Sequence, residues 1–278
     1  MVLTHELSKK IVNFVKKEPR TVQDIAHFIG KSLVTADSYV EKIKQETGML
    51  NVKVFRGKTR GALKVVYWSY EERIENDELQ KELYEQIKQG KRKDDIEAFD
   101  IYQFVDKKKK RKLVEKYKVK YVPQIRDLPG FLRQAETEVI CFSGNVSWIN
   151  RTDKGVRNFD VIKELAERGV QIRIICRVDL ASIKNIDRIN KINLELGREA
   201  IEIRHKRQPL RGFIVDNKVI SIKEEKKVEK YKPGELEYNQ ITYYEIFDTA
   251  WIDWLKQVFW NLFRYAIPAK KRIDELME

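Results

Sequence analysis

Cysteine, histidine, glycine and proline are all scarce in this chain. Its 278 residues include 2 cysteines, 3 histidines, 12 glycines and 6 prolines. Cys141 and Cys176 lie in apolar runs typical of core strands, so the sequence predicts buried thiols and neither a disulfide nor a metal site. His5, His27 and His205 are scattered, with no spacing typical of metal ligands. We therefore expect no metal and no cofactor.

Long apolar runs are also missing. No segment of the sequence is long and apolar enough to cross a bilayer, and the N-terminus lacks the basic and then apolar pattern of a secretory signal. The sequence therefore predicts a cytoplasmic protein with no membrane partner. Charged residues make up 36% of the chain, with Lys and Glu abundant, and this composition is typical of proteins from thermophilic microbes.

Positive charge is concentrated near the N-terminus. The formal net charge is +13, and residues 1–70 carry 13 Lys and Arg against 6 Asp and Glu. A local positive field is what non-specific affinity for a polyphosphate requires, so the charge distribution favours DNA as a partner. The hydrophobic content of 42% is enough to build cores, and the length allows two domains.

The segment that follows the first helix of the chain predicts two more short helices. Thr21 and Ser32 are their N-cap candidates, and Gly30 ends the first of the two. Apolar residues of the second recur at three- and four-residue steps and predict one buried stripe. The stripe consists of Leu33, Ala36, Val40 and Ile43.

A basic hairpin follows these helices. Residues 51–55 and 62–68 read as strands, joined by a tip at 56–61 that suits contact with phosphates. With an amphipathic helix over 3–15, the order predicts a winged helix-turn-helix over residues 1–69. The alternative is a small α/β domain in which Lys58 and Arg60 only keep a turn soluble.

The outer face of the second helix is short and polar, as contact with base edges in a major groove requires. We predict two groups of DNA-contacting residues. The base-contacting group is Ser32, Thr35, Ser38, Tyr39 and Lys42, and the phosphate-contacting group is Lys31, Lys58 and Arg60.

Residues 70–122 predict a helical linker. A narrow apolar stripe, Ile74, Leu79, Leu83 and Ile87, fits either a dimerising helix or a solvated linker helix held by nearby opposite charges. A second predicted helix runs from Asp94 to Tyr117 and includes the basic run 107–112. That run is either a solvated helical face or a surface that contacts flanking DNA phosphates.

Residues 123–278 have the pattern of an α/β domain. Strands are predicted at 138–142, 170–176 and 200–204, and helices at 159–169 and 180–196. The first strand, helix and next strand predict a parallel crossover. The domain is completed by a predicted hairpin over 211–222, a solvated loop over 224–233 and an aromatic helix over 251–266. The broad apolar face of that helix predicts either a core element or a dimer interface.

This half of the chain resembles the phospholipase D-like fold of archaeal regulators of the TrmB type. Three segments carry the resemblance: Ser143-Gly144-Asn145 after a strand, 167–173 at a helix end, and Gln208-Pro209-Leu210-Arg211-Gly212-Phe213-Ile214-Val215-Asp216. The resemblance implies a winged helix, a helical linker and a phospholipase D-like domain in that order, so the fold class is α/β multi-domain.

The resemblance also implies that the chain is not an enzyme. Catalytic phospholipase D proteins carry His-x-Lys and an Asp further along, with the His as nucleophile. If Asp216 is matched to that Asp, Pro209 takes the His position and Arg211 the Lys position, so the nucleophile is missing. Arg211 and Asp216 then form either an internal ion pair or part of a ligand site.

The matching domain in TrmB-like proteins serves dimerisation and, in some members, effector binding. We therefore expect a homodimeric DNA-binding regulator, with a DNA-coating architectural protein as the alternative and a phospholipase D-type nuclease as a weaker one. A small-molecule or anionic effector is expected in a cleft. The cleft residues are predicted to be Ser143, Asn145, Trp148, Arg177, Asp179 and Arg211.

Overall fold

The computed structural model describes residues 3–47, 50–56, 62–68, 78–118 and 127–278. Backbone contacts divide the chain into two compact units, Met1–Glu75 and Asn76–Glu278. Each unit combines helices with a β-sheet, so the protein is of the mixed α/β class. The predicted boundaries at 69–70 and 122–123 fall outside the described residues.

The described residues of unit 1 form three helices and a three-stranded antiparallel sheet of order β1-β3-β2. The predicted helices and hairpin are present, and the short strand β1 is an addition that the sequence did not indicate. The elements are α1 (His5–Lys17), β1 (Arg20–Thr21), α2 (Val22–Ile29), α3 (Leu33–Thr47), β2 (Leu50–Arg56) and β3 (Ala62–Trp68).

Local capping explains where α2 begins and ends. The Thr21 hydroxyl accepts a hydrogen bond from the Asp24 N–H at 3.0 Å, and the Asp24 carboxylate accepts one from the Thr21 N–H at 2.8 Å. Gly30 has a φ of +62° and ends the helix in the left-handed conformation that glycine adopts without strain. The N-cap and C-cap predicted for α2 are therefore confirmed.

Unit 2 is built on an eight-stranded mixed sheet of order β13-β9-β8-β5-β10-β11-β12-β4. Its elements are α4 (Glu78–Gln89), α5 (Ala98–Tyr102), β4 (Lys110–Tyr117), α6 (Leu128–Arg133), β5 (Glu138–Phe142), β6 (Thr152–Asp153), β7 (Val156–Arg157), α7 (Asn158–Glu167), β8 (Gln171–Cys176), α8 (Leu180–Glu195), β9 (Ile201–His205), β10 (Gly212–Val215), β11 (Val219–Lys226), β12 (Asn239–Ile246), α9 (Thr249–Arg264), β13 (Ile267–Pro268) and α10 (Ala269–Met277).

The three adjacent strands β9, β8 and β5 pair in parallel, which confirms the predicted crossover through α7. Side chains alternate between the two faces of the sheet. On one face Val139 and Cys141 join the core formed with α7 and α8. On the other, Phe142 meets Phe259 of α9 edge to face, with ring centroids 5.3 Å apart. The aromatic helix α9 therefore belongs to the core of unit 2, which is one of the two alternatives predicted for it.

Residues 110–117 form a strand, whereas the sequence predicted a helix there. β4 pairs antiparallel with β12 along its whole length, from Lys110 opposite Ile246 to Tyr117 opposite Asn239. The prediction was wrong because the partner strand lies more than a hundred residues away and has no local signal. β4 is an edge strand of the sheet, where lysine side chains disfavour pairing with another chain.

Three residues of the basic run 107–112 have partners within unit 2. Lys109 pairs with Asp248 at 3.1 Å, Lys110 donates to the Tyr102 carbonyl at 2.9 Å, and Arg111 pairs with Glu245. The run therefore lies on a turn and a strand, and the predicted helical face is wrong, whereas contact with flanking DNA phosphates stays a prediction.

Residues 224–226 extend β11, whereas the sequence predicted a solvated loop from 224. Their side chains are all charged, which is typical of a surface loop, but the segment is a strand that pairs with β12. On α4, Leu83 and Ile87 are buried within the chain, and Ile74 of the same predicted stripe lies outside the described residues.

Both cysteines are buried free thiols, as predicted. Burial raises the pKa of Cys176 to about 12, so the thiol stays protonated at neutral pH. In the described part of the chain, no cluster of His, Cys, Asp or Glu side chains is suited to a metal ion. Across the same residues, no helix has the length and apolar character to cross a bilayer.

Candidate functional site

The outer surface of α3 in unit 1 presents a stripe of three exposed residues. Val34, Ser38 and Lys42 are spaced four residues apart and therefore lie one above another along the helix. Val34 is 79% exposed, the highest exposure of a large apolar side chain among the described residues of this unit. At the start of the helix, the Ser32 hydroxyl accepts from the Thr35 N–H at 3.2 Å and meets its hydroxyl at 2.9 Å.

Two residues of α3 differ from their predicted positions. Tyr39, predicted to contact bases, is 5% exposed and packs in the core of unit 1 beside Val40 and Ile43. Leu33, predicted to be buried, is 49% exposed at the first turn. The other three residues of the predicted stripe, Ala36, Val40 and Ile43, are buried as predicted, so Tyr39 joins this stripe and Leu33 lies outside it.

An ion pair that the sequence did not indicate joins α3 to the hairpin. The Lys64 ammonium on β3 contacts the Asp37 carboxylate at 2.7 Å. Asp37 faces the hairpin, so this negative charge is neutralised next to the exposed stripe. Lys31 is exposed at the turn before α3, whereas Lys58 and Arg60 lie outside the described residues.

Unit 2 contains a cavity of about 600 Å³ where β5 and β10 meet the loop after β5. Four of the six predicted cleft residues line it, namely Ser143, Asn145, Trp148 and Arg211. Arg177 and Asp179 are the exceptions. They pair with each other at 2.6 Å, and Asp179 caps α8 by accepting from the Ser182 N–H.

Side-chain caps fix the loop after β5. The Ser143 hydroxyl accepts from the Val146 N–H at 3.1 Å, and the Asn145 amide oxygen accepts from the Ser147 N–H at 3.2 Å. Gly144 lies against Arg211, and a Cβ at this position would stand 3.1 Å from its Nε. A Cβ at this position would therefore require the guanidinium to shift slightly.

Arg211 and Asp216 do not form the internal ion pair that was one of the two alternatives for them, because they flank β10 at its opposite ends. Arg211 donates from Nη1 to the carbonyls of Gln208 at 3.0 Å and Leu210 at 2.6 Å. Burial, and then the charge of Arg177, lower the pKa of Arg211. Asp216 accepts instead from the backbone where β5 begins, including the Thr137 N–H at 2.9 Å.

A set of charged residues in the cavity wall escaped the sequence prediction. Three ion pairs connect the segment before α5 to β11 and the turn after it: Lys93 with Glu225 at 3.2 Å, Lys226 with Glu97 at 3.2 Å, and Lys230 with Asp94 at 2.5 Å. Lys223 also lines the cavity. The prediction missed them because it assigned one partner of each pair to a helical linker and the other to the loop 224–233.

Pro209 and His205 occupy different surroundings. Pro209 lines the cavity and packs against Gly90, where a Cβ would stand 2.8 Å from the proline Cγ. His205 lies at the end of β9, and its Nδ1 accepts from the Val178 N–H at 2.7 Å. Burial, followed by the charges of Arg272 and Arg207, lowers the pKa of His205, which favours the neutral imidazole.

Comparison with known proteins finds no matching family model and no matching curated protein. Similar solved structures include Nuc, a phospholipase D family member from Salmonella typhimurium, at 13% identity and a TM-score of 0.40 over 57% of this chain and 97% of that one. TrmBL2, an archaeal chromatin protein, matches at 14% identity and a TM-score of 0.40 over 94% and 92% of the two chains. NucT from Helicobacter pylori matches at 14% identity and a TM-score of 0.38 over 57% and 99%. Similarity at this level does not assign the chain to a family.

Proposed function

We propose that the protein is a DNA-binding transcriptional regulator that acts as a homodimer through a winged helix-turn-helix in unit 1. The exposed stripe of Val34, Ser38 and Lys42 on α3 carries the proposal. An apolar group, a hydroxyl and an ammonium suit the mixture of methyl groups, base edges and phosphates in a major groove. Eight residues rise about 12 Å along a helix, which matches roughly three base-pair steps of about 3.4 Å.

The test is DNA binding by fluorescence anisotropy over a range of salt concentrations. Replacing Lys58 and Arg60 by Ala should weaken binding to all sequences and reduce the slope of log K against log salt by about 2, since each phosphate contact contributes about 0.9. The control is the double replacement of Lys270 and Lys271, two exposed lysines of unit 2 that change the net charge equally. Unchanged affinity and slope for the first variant would contradict the assignment.

For unit 2 we propose a phospholipase D-like domain without catalysis that serves dimerisation or effector sensing. Pro209 supports the absence of catalysis, because a proline ring has no group that can attack phosphorus. In a homodimer, paired α3 helices would read two half-sites about one helical turn apart. Sedimentation should then give two copies per particle, and methylation interference should show two half-sites with that spacing.

A DNA-coating architectural role is the second candidate, and the net charge of +13 favours it. Genome-wide occupancy of the tagged protein at physiological salt separates the two. A small number of sharp peaks near promoters would support a regulator, whereas broad and even occupancy would support coating.

A further inference from the structure

Two cations of the unit 2 cavity lie opposite each other on neighbouring strands. The Lys223 N–H on β11 donates to the Arg211 carbonyl at 2.6 Å, which extends the pairing of β10 with β11 by one residue. Both side chains line the cavity. Like charges directly opposite each other on antiparallel strands are destabilising. This arrangement therefore costs stability unless a negative charge lies nearby.

The other cations that line the cavity each pair with a carboxylate, whereas Arg211 and Lys223 have no such partner in the described part of the chain. Among the described residues, Lys223 makes no hydrogen bond or ion pair through its ammonium, and Arg211 donates only to backbone carbonyls. Glu225 is the carboxylate with the largest effect on Lys223, and it already contacts Lys93 at 3.2 Å and the Tyr117 hydroxyl at 3.0 Å.

The surroundings disfavour the charged form of both residues. Burial is the main cause that lowers the pKa of Lys223, and the charges of Arg151, Lys93 and Lys227 act in the same direction. Burial also lowers the pKa of Arg211. A desolvated ammonium and a desolvated guanidinium in one cavity are stabilised when an anion binds between them.

The guanidinium edge beside Gly144 carries two N–H donors that no described residue accepts from. Nε and Nη2 of Arg211 make no hydrogen bond to the described residues, and Gly144 has no side chain to cover them. Two parallel N–H groups suit two oxygens of one phosphate. A phosphate monoester carries about −1.5 to −2 charges at neutral pH, which matches two cations better than a single carboxylate does.

We propose that this cavity binds a small organic phosphate, with the phosphoryl group held by Arg211 and Lys223. The volume of about 600 Å³ fits a small metabolite, and Trp148, Phe142 and Tyr231 give the walls an apolar surface for its organic part. The ligand's role as an effector rests on the proposed function. In support of that role, five lining residues come from a segment that follows unit 1 in the chain and precedes the strands of the sheet, namely Lys93, Asp94, Ile96, Glu97 and Ala98.

The binding test uses thermal unfolding and isothermal titration with inorganic phosphate, ribose 5-phosphate and AMP, against chloride at equal ionic strength. Saturating ligand should raise the wild-type Tm by at least about 3 °C. A monoester should bind at least about tenfold more tightly than inorganic phosphate, because apolar walls contact its organic part. Equal affinities would overturn the organic part of the proposal, and no shift with any of the three would overturn the site.

Three variants assign the binding to the two cations. Lys223→Met and Arg211→Gln should each abolish the ligand-induced shift, and Lys223→Met should unfold without ligand at a Tm equal to or above that of the wild type. Lys163→Met is the control, since Lys163 pairs with Glu195 outside the cavity at 2.6 Å. Retention of the shift in both cavity variants would overturn the proposal. If one variant fails to fold, the other still provides the test.

DNA binding separates this site from the proposed function. If the ligand is an effector, a monoester should change the affinity of the wild type for DNA and leave that of Lys223→Met unchanged. A ligand that binds without changing DNA affinity would overturn the effector role and leave the site. If the protein binds phosphate monoesters but no DNA, the proposed function fails while the site stands.

Discussion

Asp216 and Thr137 are joined by two hydrogen bonds, because one carboxylate oxygen of Asp216 accepts from both the N–H of Thr137 at 2.9 Å and its hydroxyl at 2.8 Å. The N–H groups of Glu136 and Glu138 also donate to this carboxylate, at 3.1 and 3.0 Å. Burial acts to raise the pKa of Asp216, but these hydrogen bonds outweigh it, and the pKa lies below its ordinary value. The ionised carboxylate thus holds the start of β5.

Asp216→Asn should therefore destabilise the protein by about 1–3 kcal/mol at neutral pH, because an amide cannot accept all four hydrogen bonds. A group with a lowered folded pKa stabilises the fold above its unfolded pKa of about 3.9 and loses that effect as the pH falls through the folded pKa. The difference between wild type and variant should therefore shrink below about pH 4. Urea unfolding across this range measures it.

Asp253→Asn is the control for this prediction, since Asp253 is exposed on α9. We expect it to change the free energy of unfolding by less than about 0.5 kcal/mol. Equal stability of Asp216→Asn and the wild type at pH 7 would contradict the role given to the carboxylate.

Glu138 neutralises two cations in the core of unit 2. The ammonium of Lys256, a residue that is 6% exposed, contacts one carboxylate oxygen of Glu138, and Arg173 lies 3.8 Å from the other. Glu138→Gln should cost about 3–5 kcal/mol, because both buried cations lose this negative charge. Tryptophan fluorescence during thermal unfolding should show a Tm lower by roughly 10 °C.

A surface pair provides the comparison for Glu138. Glu195→Gln removes the partner of Lys163 at an exposed position and should cost less than about 1 kcal/mol. A loss of similar size in the two variants would show that burial does not amplify the Glu138 interaction.

The sequence predicted most of the elements whose signals are local. Thr21 and Gly30 mark the ends of α2 because a cap depends on residues within one helical turn. β5 and β8 are buried on both faces and read as continuous apolar runs. The loop of Ser143 and Asn145 follows directly from the end of β5, so its position at the cavity was also predictable.

Elements that depend on distant partners were not predictable in the same way. β4 has the charge pattern of a helix and becomes a strand because β12 provides a partner. Lys223 lies just before the segment predicted as a solvated loop, and its burial results from the pairing of β11 with β10 and β12. Tyr39 was assigned to the surface from its polar neighbours, although the core of unit 1 has room for its ring.

Incubation with supercoiled plasmid in the absence of metal should leave the DNA intact. A phospholipase D-type reaction needs an imidazole nucleophile, and Pro209 stands where the resemblance places it. His205 is the histidine nearest in sequence to the segment 208–216, and its Nδ1 accepts a hydrogen bond from the Val178 N–H. Nicking by the purified wild type that disappears in His205→Ala would contradict the prediction and support the nuclease alternative.

Val34 should contribute to sequence preference through thymine methyl groups. Its side chain is apolar, 79% exposed and on the same stripe as Ser38 and Lys42. Contact with a thymine methyl removes apolar surface from water, and only the major groove offers such a group. Duplexes selected from random sequences provide binding sites in which single thymines can be replaced by deoxyuridine, which lacks the methyl.

The wild type should lose about threefold to tenfold in affinity when uracil replaces a contacted thymine, since the loss of one methyl contact is of the order of 1 kcal/mol. Val34→Ser should bind the two duplexes equally. Leu194→Ser is the control, because Leu194 is also 79% exposed but lies in unit 2, and it should retain the wild-type difference. If the wild type binds DNA yet does not distinguish thymine from uracil at any position, Val34 is not a specificity residue, although the proposed DNA-binding function would remain.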